Sequence, residues 1–253
     1  NTRKIFKNWY DYAKVYYKLT SDEFVVFETK TGLKIKVRVR STDLMVLTTV
    51  WVMEEYDIED LKINENDVII DIGAHTGLFS LLVSQFSKTG KILSFEPVRE
   101  NFDLLVSNLE LNQIDNVLPF NIAVSKNSDK LNLFLNEDES AHSIFPKSSK
   151  SIFSLPTGKT TAVESTTLQK IFDENKISSC KLLKLDCEGA EYEIINSLSP
   201  EYLNRIQNIV MEYHLADSKP ELIKNLVLKI KNAGFKIKTG PHHDDMGSLI
   251  ARK

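Results

Sequence analysis

Asp67-Val68-Ile69-Ile70-Asp71-Ile72-Gly73-Ala74-His75-Thr76-Gly77 is the stretch on which the reading of this chain turns. Residues 67–72 are a short, nearly continuous apolar run, the pattern of a strand buried on both faces of a parallel sheet. Thr76 to Ser87 reads as a helix, so residues 73–77 form a strand-to-helix turn. Gly73 and Gly77 allow a tight turn and close approach of backbone to a ligand. The helix start presents unpaired N–H groups, and doubly wound sheets bind ligands at the carboxyl ends of strands, beside such a turn. A dinucleotide fingerprint, G-x-G-x-x-G, sets its outer glycines five apart. Here they are four apart and His75 takes the place of the middle glycine, which disfavours a pyrophosphate and favours a ligand without phosphates. A turn of purely structural use is the alternative.

Downstream the chain alternates strand and helix. Lys91 to Glu96 reads as a strand, Val98 to Asn112 as an amphipathic helix with Phe102, Leu105, Val106 and Leu109 on one stripe, and Val117 to Val124 as a third strand. Leu131 to Leu135 reads as a strand leading into a Ser/Lys-rich stretch around residues 140–159, long enough for an insertion or lid. A helix at Thr167 to Asn175, a strand at Lys181 to Asp186, a helix at Ala190 to Leu198 and a strand at Ile209 to Tyr213 follow. Lys219 to Asn232 is the last helix, stopped before Gly234. Phe235 to Lys238 and Ser248 to Ala251 have no helix between them, so they pair antiparallel or sit apart. The expected architecture is an open, mostly parallel α/β sheet with helices on both faces and one antiparallel strand.

Upstream, Arg3 to Lys18 reads as an aromatic-rich helix and Glu23 to Arg40 as a β-hairpin turning near Thr31-Gly32. Ile35, Val37 and Val39 share one face of its second arm, and Lys34, Lys36, Arg38 and Arg40 the other. That basic stripe is either a solvated face or an attractor for an anionic substrate or a membrane-linked glycolipid. Ser41 or Thr42 then caps a helix running to about Glu55. We therefore divide the chain into an N-terminal helix/hairpin/helix extension, residues 1–60, and a ligand-binding domain, residues 61–253, with an insertion at about 126–165.

Composition sets outer limits. With 253 residues, 42% hydrophobic and 26% charged, the chain has ample material for a core. Its net charge of −3 argues against a general nucleic-acid binder. Cys180 and Cys187 lie on one strand, where seven residues span roughly 23 Å, so they do not pair and a reducing, cytoplasmic location fits. Asn1 to Lys18 lacks a signal-peptide core, and the longest apolar run, Leu44 to Met53, is far short of the roughly 20 residues of a membrane helix.

Two further elements carry chemistry. Glu96, ending its strand in Ser94-Phe95-Glu96-Pro97, can accept hydrogen bonds from a ribose diol. Asp186 and Glu188 in Lys184-Leu185-Asp186-Cys187-Glu188-Gly189-Ala190-Glu191 end a buried strand and point to one side. Paired carboxylates raise one another's pKa, so one can serve as a base, and they can also hold a hard cation. Alternatively Glu188 and Glu191 only favour the positive end of the next helix.

The combination resembles the class I methyltransferases that use S-adenosylmethionine, and within them the FkbM-type family. The resembling stretches are Val68 to Gly77, Phe95-Glu96-Pro97, Asn121-Ile122-Ala123-Val124-Ser125, Thr166-Thr167-Leu168 and Leu183 to Glu191, within roughly residues 60–253. The resemblance implies a Rossmann-like, seven-stranded sheet with an antiparallel last strand, and O-methylation of a hydroxyl on a sugar, glycan or secondary metabolite. It implies that Asp71, Gly73, Ala74, His75, Thr76 and Gly77 flank the methionine part of the cofactor. Glu96 and Pro97 would lie at the ribose, Asn121, Ile122 and Ala123 near the adenine, and Asp186 by the transferred methyl.

An alcohol holds its proton tightly, so a base within hydrogen-bond reach would contribute about 10²–10⁴-fold. The candidates are Asp186, Glu212, His142 and His214. His142 lies in the irregular insertion and His214 at a strand's carboxyl end. No metal site is expected: in His242-His243-Asp244-Asp245 adjacent loop residues seldom all face one ion. The partner is a small-molecule or glycan hydroxyl rather than a nucleic acid or membrane interior. The extension either borders the acceptor pocket or makes a homo-oligomer contact. The rivals are a nicotinamide-dependent oxidoreductase and a non-catalytic cofactor-binding module on the same fold.

Overall fold

The computed structural model describes residues 2–136, 156–243 and 245–253. The expected aromatic helix is two short ones, α1 (Thr2–Ile5) and α2 (Trp9–Tyr16). The chain breaks between them because Phe6 is wholly buried and bridges to Thr29 of the hairpin, so tertiary packing overrides local propensity. The hairpin is β1 (Phe24–Glu28) and β2 (Lys34–Arg38), with Gly32 at positive φ in its turn. The following helix is shorter than expected. It forms α3 (Asp43–Leu47) and then widens into a π-turn over Thr48–Val52. Thr42 stands at the N-cap without a side-chain bond to the helix, and the preceding Ser41 accepts the Asp43 N–H on its Oγ at 3.1 Å.

The remaining elements are β3 (Ile69–Ile72), α4 (Leu78–Ser84), β4 (Ile92–Phe95), α5 (Arg99–Leu111), β5 (Val117–Phe120), β6 (Ala123–Ser125), β7 (Lys130–Asn136) and β8 (Pro156–Thr167). Then come α6 (Leu168–Glu174), β9 (Cys180–Leu185), α7 (Glu191–Ser197), α8 (Pro200–Arg205), β10 (Ile206–His214), α9 (Pro220–Asn232), β11 (Lys236–His243) and β12 (Met246–Arg252). The main sheet has seven strands in the order β11-β12-β10-β9-β3-β4-β5, and β12 runs antiparallel to both its neighbours. The order reverses between β3 and β9, so the sheet's ligand crevice opens there.

Parity along the central strands sorts their side chains. Ile70 and Ile72 pack with Leu183 and Leu185 on the face covered by α6, α7 and α9. Ile69 packs with Leu182 and Val210 on the other face, together with Phe6, Phe27, Ile35 and Val37 of the extension. Asp71 and Lys184 fall on this second face and are register partners across β3 and β9.

One expected strand is split. The run from Val117 to Val124 ends in the main sheet at Phe120 and re-enters a separate three-stranded sheet, ordered β6-β8-β7, at Ala123. Asn121 makes the break, its amide donating to the carbonyls of Glu96 and Pro97 at 2.9 and 3.0 Å. The arms of the expected irregular insertion are strands, β7 pairing antiparallel with β8, and β8 begins where an irregular stretch was expected. Helix α8, not foreseen, starts on Pro200 at its first turn, a position where proline's missing N–H is harmless.

The hairpin's open edge docks on α5 through asparagines. Asn108 Oδ1 accepts the Lys36 N–H at 2.7 Å and its Nδ2 donates to the Lys36 carbonyl at 3.1 Å. Asn112 makes the same pair of bonds to Lys34, both at 2.7 Å. Four residues of helix rise about 6 Å and two residues of strand about 6.6 Å, so an i, i+4 pair of amides matches every second residue of an edge strand. Next along, Arg38 pairs with buried Asp43 through both Nε at 3.0 Å and Nη2 at 2.7 Å, and reaches Asn101 at 2.8 Å. The basic stripe is thus partly an anchoring edge rather than wholly solvated.

Asn108 also donates to the Thr76 carbonyl at 3.0 Å. Asn108→Ala leaves several buried backbone groups unpaired. It should lower stability by about 3 kcal/mol, seen as a fall of roughly 6–12 °C in thermal unfolding. An unchanged midpoint would show that the amide ladder does not hold the extension in place.

Candidate active site

The glycine turn is built by backbone constraint. Gly73 sits at φ +76°, and a Cβ there would overlap the carbonyl oxygen of Asp186. The β3 turn and the end of β9 are therefore in backbone contact, which only glycine permits. Gly73 and Ala74 both donate their N–H groups to the Phe95 carbonyl at 3.0 Å, which draws the end of β4 alongside. Gly77 sits at φ +83°, where a Cβ would lie 3.0 Å from Leu105. Between them His75 also takes positive φ, +51°.

Glu96 spans two loops. Its Oε2 accepts the His75 N–H at 2.8 Å and its Oε1 the Val98 N–H at 2.9 Å. Burial nevertheless pushes the carboxyl up to about 7, against those two donors and the Lys184 charge. Lone pairs on both oxygens remain for further donors.

Lys184, 3% exposed, ties the other side together. Its Nζ donates to the Gly73 carbonyl at 2.6 Å and lies 3.3 Å from Asp71 Oδ1 and 3.7 Å from Asp186. Asp71 is wholly buried and its other oxygen accepts the Ser80 hydroxyl at 2.6 Å. The two carboxylates hold the lysine above its ordinary pKa although burial pulls it down.

The residues expected at the cofactor fall into two groups. Gly73, Ala74, His75, Glu96, Pro97, Ala123 and Asp186 line one cavity at the crevice. Asp71, Thr76, Gly77, Asn121 and Ile122 are not on that wall. Asp71 and Thr76 are fully buried and shape the turn from behind, while Asn121 braces Glu96 and Pro97 through their carbonyls. The cavity also takes Val46, Val50 and Tyr56 from the extension. Tyr56 stacks edge-on to Phe79, and burial followed by the nearby Asp186 raises its hydroxyl well above the usual value.

Past Asp186 the acids gather round His214. Glu191 Oε1 accepts the Cys187 N–H at 2.9 Å and faces His214 Nδ1 at 3.2 Å. Nε2 lies 3.4 Å from Glu212 and 3.6 Å from Glu188. Burial alone would lower His214, but Glu188, Glu191 and Glu212 hold it well above its ordinary value. Burial raises Asp186 to about 7, with Glu212 and Glu188 adding to the effect and Lys184 and His214 opposing it. Asp186, Glu212 and His214 present ligand atoms close enough together to hold a cation.

His142 lies outside the described residues. In the last hairpin His242 pairs with Asp217 at 3.0 Å and Asp245 caps residues 217 and 218. Both cysteines are free, and among the described residues no helix is long and apolar enough to cross a membrane. Sequence reasoning assigned no role to Lys184, Tyr56, Asn101 or the Glu191–His214 pair. Lys184 had a legible signal, a lysine between Leu183 and Leu185 near the inner end of the Cys180–Leu185 strand, since buried lysines occur with partners.

A seven-stranded sheet in this order, with a glycine turn after β3 and an acid after β4, is the class I methyltransferase architecture. SMU.1697c from Streptococcus mutans, solved in complex with SAH, shares the fold at a TM-score of 0.50 and 11% identity, over 79% of this chain and 96% of its own. The Methyltransferase FkbM domain matches residues 71–237, so the chain belongs to the FkbM family of S-adenosylmethionine-dependent methyltransferases. Two fungal relatives carry the same activity in their names. Methyltransferase sdnD of Sordaria araneosa is 29% identical over 181 residues, 62% of this chain and 69% of its own length. Methyltransferase 1 of Beauveria bassiana is 23% identical over 201 residues, 72% and 76% respectively.

The raised Glu96 makes the protein's stability depend on pH. A carboxyl moved from 4.5 to about 7 binds more protons folded than unfolded, so its contribution is full below pH ~4.5 and is lost as pH rises through ~7. The size is about 3 kcal/mol. In unfolding measurements without cofactor, Glu96→Gln should lose that part of the slope between pH 5 and 7. Parallel profiles for the two proteins would place the ionisation elsewhere.

Proposed function

We propose that this chain is an O-methyltransferase that binds S-adenosylmethionine between the Gly73 turn and Glu96 and methylates a hydroxyl on a sugar, glycan or secondary metabolite. The observation that carries this reading is the cavity's polarity. One wall is the backbone turn with a buried carboxyl able to accept a ribose diol, and the other ends in Asp186 and Glu188. In this reading the cofactor's methyl lies toward Asp186, and Asp186 orients the acceptor hydroxyl.

The reaction asks little covalent work of the protein. An oxygen lone pair forms the new O–C bond in line with the C–S bond, whose electron pair returns to sulfur and leaves a neutral thioether. The hydroxyl proton passes to a carboxylate of the Asp186 and Glu188 pair. The methyl is already activated, so alignment and a base within reach supply the acceleration. Val46, Val50 and Tyr56 exclude water from the cavity, which strengthens the fields around the reacting atoms.

The cofactor assignment is checked by unfolding the chain with S-adenosylmethionine, S-adenosylhomocysteine, NAD and NADP in parallel. At 100 times Kd a ligand stabilises by ~2.7 kcal/mol, here a shift of roughly 5–10 °C. The shift is expected with the two sulfur ligands and not with the nicotinamides; the reverse would favour an oxidoreductase. Asp186→Asn should cut methyl transfer to an alcohol panel by about 10²-fold or more, while S-adenosylhomocysteine still binds within about threefold. Unaltered turnover in that variant would remove Asp186 from the chemistry.

A further inference from the structure

The carboxyl ends of β9 and β10 bring together three groups of metal-ligating type from two adjacent strands. One oxygen each of Asp186 and Glu212 and one ring nitrogen of His214 all lie within 4.8 Å of one another. Asp186 is also on the cavity wall, so the cluster stands next to the place assigned to the acceptor rather than in the cofactor turn.

The independent observation is the orientation of His214. The residue is 5% exposed. Its Nδ1 is turned to Glu191 Oε1 at 3.2 Å, and Glu191 is itself held by the N–H groups of Cys187 and Gly189. Tyr192 donates its hydroxyl to the His214 carbonyl and fixes the backbone. Nε2 is thereby aimed into the carboxylates, yet it is buried and makes no hydrogen bond. Its neighbours, Glu212 Oε1 at 3.4 Å and Glu188 Oε2 at 3.6 Å, are beyond good hydrogen-bond range.

We propose that Asp186, Glu212 and His214 form a binding site for one divalent transition-metal cation, with Glu191 as the outer carboxylate that fixes the imidazole. Metal-bound histidines characteristically give their second ring nitrogen to a carboxylate in this way. Ligands about 2.1 Å from a tetrahedral ion lie ~3.4 Å apart, the separation found between Nε2 and Glu212. Asp186, the most exposed of the three, is the ligand that closes in from the cavity side. The ion would neutralise an acid-rich pocket in which Glu188 and Glu191 also press on His214. An imidazole with two carboxylates suits Mn²⁺, Co²⁺ or Zn²⁺ better than Mg²⁺ or Ca²⁺, which prefer oxygen.

Three protein ligands leave a position for the acceptor oxygen, whose proton a cation makes easier to remove. In that arrangement Glu188 takes the proton, the oxygen lone pair forms the O–CH₃ bond and the C–S pair returns to sulfur, with no change of oxidation state. This last role rests on the hydroxyl reading above, whereas the cation site rests on the cluster alone.

The test titrates Mn²⁺, Zn²⁺ and Mg²⁺ into the metal-stripped chain loaded with S-adenosylhomocysteine, reading Mn²⁺ by electron paramagnetic resonance and heat by calorimetry. One Mn²⁺ per chain is expected, with Mg²⁺ weaker. Glu212→Gln and His214→Gln should each weaken Mn²⁺ by at least about tenfold and Glu191→Gln by a similar factor, with S-adenosylhomocysteine affinity retained. Glu212→Gln, on the more exposed side chain, keeps the test open if His214→Gln does not fold. No saturable binding of any of the three ions, or Mn²⁺ affinity unchanged in Glu212→Gln, overturns the site. Mn²⁺ bound at this cluster in a chain that methylates no alcohol overturns the hydroxyl reading and leaves the site standing.

Discussion

Lys184 is the side chain on which the crevice depends. It lies in the middle of the sheet, inside a strand whose other residues are apolar or partly exposed, and it is nearly inaccessible to water. A buried ammonium persists only where its desolvation is offset by partners. Here these are Asp71 on the neighbouring strand, Asp186 two residues on and the Gly73 carbonyl. Such a group is a poor source of net stability and a strong constraint on geometry, because removing either charge strands the other. It pins the glycine turn against the end of β9, and so holds the two walls of the cavity at one separation.

The amino-terminal extension completes the enclosure. Its residues lie before the stretch matched by the FkbM domain, yet its apolar side chains share a core with β3, β9 and β10. The asparagine ladder from α5 satisfies the hairpin edge that would otherwise expose unpaired backbone groups. With the edge docked, the turns that follow carry Val46, Val50 and Tyr56 to the cavity wall. One part of the cavity wall thus lies in the strands and turns of the matched domain, and another in the segment that precedes it.

Much of this was legible in the residues because it obeys local rules. The apolar run Asp67 to Ile72, the glycines after it and the acid ending the next strand specify a strand, a tight turn and a carboxyl at a strand end from period and backbone freedom alone. The same holds for Asp186 at the end of its strand. The breaks came where distant contacts overrule neighbours. Phe6 interrupts a plausible helix by burying itself beside Thr29, and Asn121 interrupts a plausible strand by bonding to carbonyls 25 and 24 residues away. Neither partner is visible in the local pattern.

Sequence by itself determined the class of fold, the position of the glycine turn and the strand ends that border the crevice, since alternation, glycine freedom and strand-end position are properties of short segments. Only the tertiary structure decided which of those residues face the cavity and which stand behind it. It set Asp71 against Lys184 through strand register, and turned His214 between Glu191 and Glu212. It also laid the basic edge of the hairpin along α5. Apart from the approach of Glu212 to His214 along β10, these are contacts between segments far apart in the chain. The energy that selects them comes from satisfying buried charges and backbone groups in three dimensions, a demand that no local spacing encodes.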